Sequence, residues 1–296
     1  MGEGISFHYC MSIYRIVKIW NVVVIYMIPK VIHYCWFGGS PLPDDVKRYI
    51  DSWRKYCPDY EIIEWNEGNF DIDCCAYVKE AYEAKKWAFV TDYVRLYVLY
   101  NHGGIYMDTD VEVVKPLDEL LRYSALSGYE SNTSIQTGTM GACRGNKWIK
   151  MLLDDYSDRH FFMSDGSYDK TTNVTVITNL TTQNYGLVLD GKTKIFGDNI
   201  IMLPFDYLCA KSYRTGIIMQ TENTYTIHHF KGSWMDNEKI TTVKKIKDIS
   251  ISYMLFVEKY VYYFLVLRIT YEAKGISGVI KLLFTKLRNS WKLKNI

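Results

Sequence analysis

The hydrophobic and polar positions of this chain switch between two periods. Residues 31–36 form a β-rich run that stops at Gly38-Gly39-Ser40-Pro41, a strand followed by its loop. After Pro43-Asp44-Asp45 the apolar positions Val46, Tyr49, Ile50 and Trp53 recur at helical spacing, and Cys57-Pro58-Asp59 ends that helix. Residues 60–65 return to strand. Residues 76–86 and 87–101 read as helices, the second carrying Phe89, Val90, Tyr93, Val94, Tyr97, Val98 and Tyr100 as its apolar positions. Gly103-Gly104 caps it in the left-handed conformation glycine permits, and Ile105-Tyr106-Met107 follows as a short buried strand. The order strand, helix, strand, helices, strand predicts an α/β domain with a mostly parallel central sheet flanked by helices. Ligands of such sheets sit beyond the carboxyl ends of the strands. The loop after Trp36 and the residues after Met107 both fall there.

The remainder is less regular. Residues 117–123 and 147–156 predict helices. Residues 172–186 are rich in Thr and Asn and are expected to form a polar pocket wall. Residues 192–196, 200–204 and 225–230 predict short strands, the last leading into Gly232-Ser233-Trp234. From Lys239 onward the pattern is helical, basic and aromatic. No internal repeat or low-complexity segment interrupts the chain.

Composition changes this picture in three ways. The apolar share of 48% and charged share of 23% over 296 residues are those of a soluble globular protein with a substantial core. The net charge of +2 hides a division: residues 1–238 hold 23 basic and 30 acidic side chains (−7), whereas residues 239–296 hold 12 and 3 (+9). The seven cysteines (Cys10, Cys35, Cys57, Cys74, Cys75, Cys143, Cys209) include no Cys-x-x-Cys pair, which argues against a zinc site or disulfide framework and for a reducing cytoplasm.

Candidate chemistry centres on Asp108-Thr109-Asp110. Strand alternation puts the two carboxylates on one side, where they repel unless a cation sits between them. Oxygen ligands of this kind suit Mg²⁺ or Mn²⁺ shared with a phosphate. A second such pair, Asp71-Ile72-Asp73, lies in a polar stretch with no strand before it and reads as a solvated loop.

Four segments then line up: Ile28-Pro29-Lys30-Val31-Ile32-His33-Tyr34-Cys35-Trp36-Phe37-Gly38-Gly39, Ala88-Phe89-Val90-Thr91-Asp92-Tyr93-Val94-Arg95, Leu99-Tyr100-Asn101-His102-Gly103-Gly104-Ile105-Tyr106-Met107-Asp108-Thr109-Asp110, and His228-His229-Phe230-Lys231-Gly232-Ser233-Trp234. Together they resemble the DXD-containing glycosyltransferases of the Och1-like, capsular-polysaccharide type, and more distantly the glucosyltransferase domain of large clostridial toxins. The resemblance implies a GT-A fold, a nucleotide-sugar donor, a divalent metal (Mn²⁺ or Mg²⁺) and retention of anomeric configuration. It implies that Asp110 is the main metal ligand and that Asp108 shares the metal or accepts from donor hydroxyls. Asp92 holds sugar hydroxyls with Arg95 in support, although the two also suit a plain ion pair along a helix. Tyr106 faces the side of Asp108, either toward the donor or into the core. Trp36 stacks on the nucleobase, with a core position as its rival. Ser233 and Trp234 close over the diphosphate. His229, three residues before Gly232, takes the place of a third metal ligand, with the adjacent His228 as the alternative. No catalytic base or nucleophile stands out.

The domain reading that follows has three parts. Residues 1–26 are an upstream extension, with Met27 as the natural start, or a peripheral helix. Residues 27–238 are the GT-A catalytic domain, and residues 239–296 a basic amphipathic helical tail. Residues 278–294 set Val279, Ile280, Leu282, Leu283, Phe284, Leu287 and Trp291 against Lys281, Lys286, Arg288, Lys292 and Lys294. Such a segment either lies on an anionic membrane surface, as suits an enzyme at the cytoplasmic face with a lipid-linked acceptor, or packs on the catalytic domain. The expected partners are a nucleotide-sugar donor, UDP-hexose ahead of GDP-mannose, and a glycan or lipid-linked oligosaccharide acceptor. Nucleic acid is excluded, since the −7 body repels phosphates and no binding motif is present. A second function class is a nucleotide-sugar or glycan-binding protein without turnover, which the intact Asp92, Arg95, Asp108 and Asp110 disfavour.

Overall fold

The computed structural model describes residues 27–213 and 215–231, the backbone of 15–18 and 21–24, and the positions 267, 268, 271, 276, 277 and 279–281. The chain divides into two compact units, Met1–Asp236 and Asn237–Ile296, and the described residues of the second are helical. Most of the basic tail, together with Gly232, Ser233 and Trp234, lies outside the described residues. Near the N-terminus β1 (Arg15–Lys18) pairs antiparallel with β2 (Asn21–Val24), so these residues form a ribbon where a peripheral helix was one of two expectations. No helix among the described residues is long and apolar enough to cross a membrane.

In the first unit the expected order appears. It runs β3 (Val31–Cys35), α1 (Asp44–Tyr56), β4 (Glu61–Trp65), α2 (Ala76–Glu83), α3 (Trp87–Asn101) and β5 (Gly104–Met107). Then come β6 (Val111–Val113), β7 (Ala125–Ser131), β8 (Ser134–Ile135), β9 (Thr139–Ala142), α4 (Lys147–Asp154) and α5 (Asn173–Tyr185). The order closes with β10 (Lys194–Phe196), β11 (Ile200–Leu203), α6 (Phe205–Leu208) and β12 (Thr226–His228). The sheet order is β10-β11-β7-β9-β5-β3-β4, with β8 on β7. Strands β4, β3, β5, β7 and β11 point one way and β9 and β10 the other, so the sheet is mostly parallel, as expected. Where residues 117–123 predict a helix, only a short 3₁₀ turn forms at Asp118–Leu120.

Alternation along the strands builds a core on each face. Ile32, Tyr34, Ile105, Met107, Leu126 and Leu203 turn toward Ile50 and Trp53 of α1. Tyr106, Ala125, Tyr129 and Met202 turn toward Val90, Val94 and Val98 of α3. Helices on both faces shield the parallel strands, leaving their carboxyl ends as the open edge.

One buried contact sets the approach to that edge. His33 accepts at Nδ1 from the Trp65 indole N–H (3.0 Å), so its proton sits on Nε2 and is donated to the Gly103 carbonyl at 2.8 Å. Gly104 adopts φ +105°, and a Cβ there would stand 2.7 Å from the Val31 carbonyl and 3.0 Å from His33 Nε2, so only glycine fits. Burial pushes the His33 imidazole down to about 4, against the Gly103 bond that favours the cation and alongside a small push from His102. Folded His33 therefore stays neutral where unfolded His33, at about 6.5, takes up a proton. Its contribution is present above pH 6.5 and is lost as pH falls toward 4, about 3 kcal/mol in all. Urea unfolding between pH 7 and pH 4 is expected to show this slope in the native chain and a shallower one in His33→Gln. Equal slopes would contradict the neutral buried imidazole.

Candidate active site

The carboxylate pair stands at the open edge, held by a different local geometry from the one the sequence suggests. Strand β5 ends at Met107, and the Val111 N–H bonds the Asp108 carbonyl at 3.0 Å, closing a turn over Asp108–Asp110. The turn, not continued alternation, brings both carboxylates to one side. Asp108 keeps the orientation of Tyr106, toward α3. There Tyr106 Oη donates to Asp108 Oδ1 (2.9 Å), and Arg95 Nη2 reaches the same oxygen at 3.3 Å.

Arg95 organises this corner. It is 4% exposed. Nη1 donates to the Thr137 carbonyl at 2.7 Å, Nη2 donates to Asp92 Oδ1 at 3.0 Å, and the guanidinium lies 4.8 Å above the Tyr106 ring. The Asp92–Arg95 pair is thus more than a surface i,i+3 bridge, because its fork also spans to β9's approach and to Asp108. Burial lifts the Asp92 carboxyl to about 6; Arg95 opposes the rise and Asp108 adds to it. Tyr106 is 1% exposed, with its hydroxyl committed to Asp108. Of the two places expected for Tyr106, toward the donor or into the core, it takes the core one, and its hydroxyl orients Asp108.

The other side of the pair is built by β12. His228 Nε2 lies 3.1 Å from Asp110 Oδ1 and 3.8 Å from Asp108 Oδ2. One ligand atom from each of Asp108, Asp110 and His228 lies within 4.8 Å of the others, the only such cluster among the described residues. Gly138 makes room for the imidazole, since a Cβ there would stand 2.7 Å from His228 Nδ1. Burial would raise the Asp110 carboxyl, but His228 and the Lys231 N–H (2.8 Å to Oδ2) outweigh it and hold the group at about 2. Burial likewise opposes charge on His228, and the Asp110 carboxylate overrides it, keeping the imidazole protonated well above its usual range. Two carboxylate oxygens and an imidazole nitrogen suit Mn²⁺ or Mg²⁺, and a cation there would displace the His228 proton.

The assignment of His229 is corrected. Adjacent strand residues face opposite sides, and it is His228 that faces the carboxylates. His229 turns away: Nε2 meets Glu112 Oε2 at 2.9 Å and the ring stacks on Tyr49 at 4.7 Å. Trp36 stands at the carboxyl end of β3 beside β5. Its Nε1 donates to the Ser40 carbonyl (2.5 Å) and its half-buried ring packs against the α1-side core, with no bond to the cluster among the described residues. Ser233 and Trp234 lie outside the described residues.

The sequence reading missed one participant. Residues 172–186, expected to form a polar pocket wall, form the helix α5, capped by the Thr172 side chain and ended by Gly186 at φ +61°. Two of its threonines face inward, Thr178 accepting from the Ile135 N–H and Thr181 from the Trp148 indole. At its first turn Asn173 Nδ2 donates to the Asp92 carbonyl (3.2 Å), while Asn173 Oδ1 is buried with no partner among the described residues. The signal in the sequence was the Thr172 cap ahead of apolar Val176, Ile177 and Leu180, hidden by the density of threonines.

Residues 43–126 match the family described as glycosyltransferase sugar-binding region containing DXD motif. The matched stretch is part of the chain only. It takes in α1, the Asp92–Arg95 pair, the glycine turn and both carboxylates; His228 lies beyond it. Among curated proteins the region's chain is 30% identical to "Inositol phosphoceramide mannosyltransferase 3" of Schizosaccharomyces pombe over 43% of this chain and 36% of that protein. "Inositol phosphoceramide mannosyltransferase 2" of the same yeast is 27% identical over 44% and 38%. The chain thus spans about a third of the length of these relatives. A solved structure, "PaToxG Glycosyltransferase", aligns at TM-score 0.41 and 20% identity over 54% of this chain and 70% of that one. The α/β sheet with helices on both faces accords with the expected GT-A layout.

Proposed function

We propose that the protein is a metal-dependent hexosyltransferase that moves a sugar from a nucleotide-sugar donor to a glycan or lipid-borne acceptor with retention of configuration. The observation that carries this reading is the convergence of Asp108, Asp110 and His228 beside the buried Asp92–Arg95 pair. A divalent cation held by the first three would neutralise the donor diphosphate as negative charge develops on the leaving group. Asp92 is the group placed to accept from hydroxyls of the donor sugar, with Arg95 fixing Asp92 and Asp108 in position and Asn173 bracing the Asp92 main chain. The names of the yeast relatives favour mannose as the sugar and a lipid headgroup as the acceptor, which moves GDP-mannose level with the UDP-hexoses as a donor. A lipid acceptor also suits work at a membrane surface on the cytoplasmic side, with the basic tail as the contact.

A thermal-shift screen of GDP-mannose, UDP-glucose, UDP-galactose and UDP-N-acetylglucosamine, each with Mn²⁺ and again with EDTA, tests the reading. Ligand at 100 times Kd stabilises by about 2.7 kcal/mol. The true donor is expected to raise Tm by several degrees with Mn²⁺ and much less with EDTA. No shift with any donor would overturn the assignment.

A further inference from the structure

Two adjacent histidines create a problem of choice. His228 and His229 carry the same imidazole, and a one-residue slip of β12 would exchange the faces they point to. The ribbon that decides between them is short: Thr226 pairs with Val113, Ile227 with Glu112 and His228 with Val111, and one main-chain bond carries the same register on at either end, from the Val114 N–H to the Tyr225 carbonyl (2.9 Å) and from the His229 N–H to the Asp110 carbonyl (2.9 Å). The main-chain bonds set this register, and side chains reinforce it.

They do so on the face away from the carboxylates. Glu112 lies opposite Ile227 and diagonal to His229, the geometry in which long side chains meet across an antiparallel pair. Glu112 Oε2 holds His229 Nε2 at 2.9 Å. The imidazole is sandwiched onto Tyr49 of α1, its plane within 22° of the phenol ring. Beyond the strand the main chain is fastened as well: the His229 N–H bonds the Asp110 carbonyl (2.9 Å), Lys211 Nζ bonds the His229 carbonyl (3.1 Å), and Lys231 Nζ pairs with Asp45 of α1. Of these contacts the one from Glu112 acts on the imidazole itself, and among the described residues Glu112 is the one acidic side chain paired with the outer histidine.

We propose that Glu112 is a positioning residue: by holding His229 on the outer face of the β6–β12 ribbon, it reinforces the register that delivers His228 to Asp108 and Asp110. The proposal rests on reading those three residues as a metal site. It assigns the second histidine a function that is neither ligand nor surface decoration.

Binding of Mn²⁺ alone, followed by the electron paramagnetic resonance signal of the free ion, tests it without recourse to turnover. Glu112→Ala is expected to weaken Mn²⁺ binding about tenfold, the scale on which residues that orient metal ligands act. Glu112→Gln, whose amide oxygen still accepts from the imidazole, is expected to restore most of it. His228→Ala is expected to weaken binding further, and Glu112→Ala added to it should recover part of the loss, because His229 is then free to swing in. Native affinity in Glu112→Ala, with His228→Ala impaired, overturns the positioning role and leaves the metal site standing. Absence of Mn²⁺ binding in the native chain overturns both.

Discussion

Asp110→Asn is expected to lower metal-dependent donor turnover by roughly a thousandfold, about 4 kcal/mol of transition-state stabilisation, while the protein stays folded. The argument runs through charge and not shape. Asparagine can still accept the Lys231 N–H that Asp110 Oδ2 receives at 2.8 Å, so the chain around 228–231 keeps its anchor. What disappears is one of the two negative charges that would bind a cation beside the leaving phosphate, together with the anion that faces His228 Nε2 at 3.1 Å. The measurement is donor turnover at saturating Mn²⁺ alongside Tm. Full turnover at unchanged Tm would overturn the site assignment.

Arg95→Met is expected to have the largest effect on stability. Methionine fills similar volume but leaves two carboxylates, Asp92 and Asp108, without the cation between them. Removing one partner of a buried ion pair costs about 3–5 kcal/mol, because the remaining charge is neither solvated nor paired. The Thr137 carbonyl also loses its donor at 2.7 Å. For a domain of this size the loss corresponds to a fall in Tm on the order of 10 °C. Arg95→Lys should recover little, since an ammonium cannot bridge Thr137, Asp92 and Asp108 at once. A methionine variant that melts within about 2 °C of the native chain would show that the pair is not load-sharing in the way its burial implies.

The two predictions draw on different sources of legibility. Asp92 and Arg95 were readable as a pair because three residues along a helix is nearly one turn, a relation fixed by local geometry. Asp108 and Asp110 were readable because a glycine turn and a short apolar strand lead up to them, although a turn closed by Val111 is what aligns them. The Thr137 carbonyl that completes the Arg95 fork comes from 42 residues downstream and left no mark near Arg95 itself. Asn173 reaches Asp92 from 81 residues away, on a helix whose threonines are satisfied internally and so imitate a polar loop when read in sequence.

The histidine pair marks the boundary most sharply. Alternation along a strand dictates that one of His228 and His229 faces inward, and the sequence carries that rule in full. Which one faces inward depends on the pairing of β12 with β6, 117 residues earlier at His228 and Val111, and on Glu112 and Tyr49 meeting His229 across that ribbon. By itself the sequence determined the α/β order, the glycine turn, the Asp92–Arg95 pair and the presence of two carboxylates at a strand end, because periodicity and turn chemistry act over a few residues. Only the tertiary structure decided the third member of the cluster, the inward commitment of Tyr106 and the arrival of Asn173. Each of those depends on which distant segments pack together, and contacts between distant segments are not written in the spacing of either one.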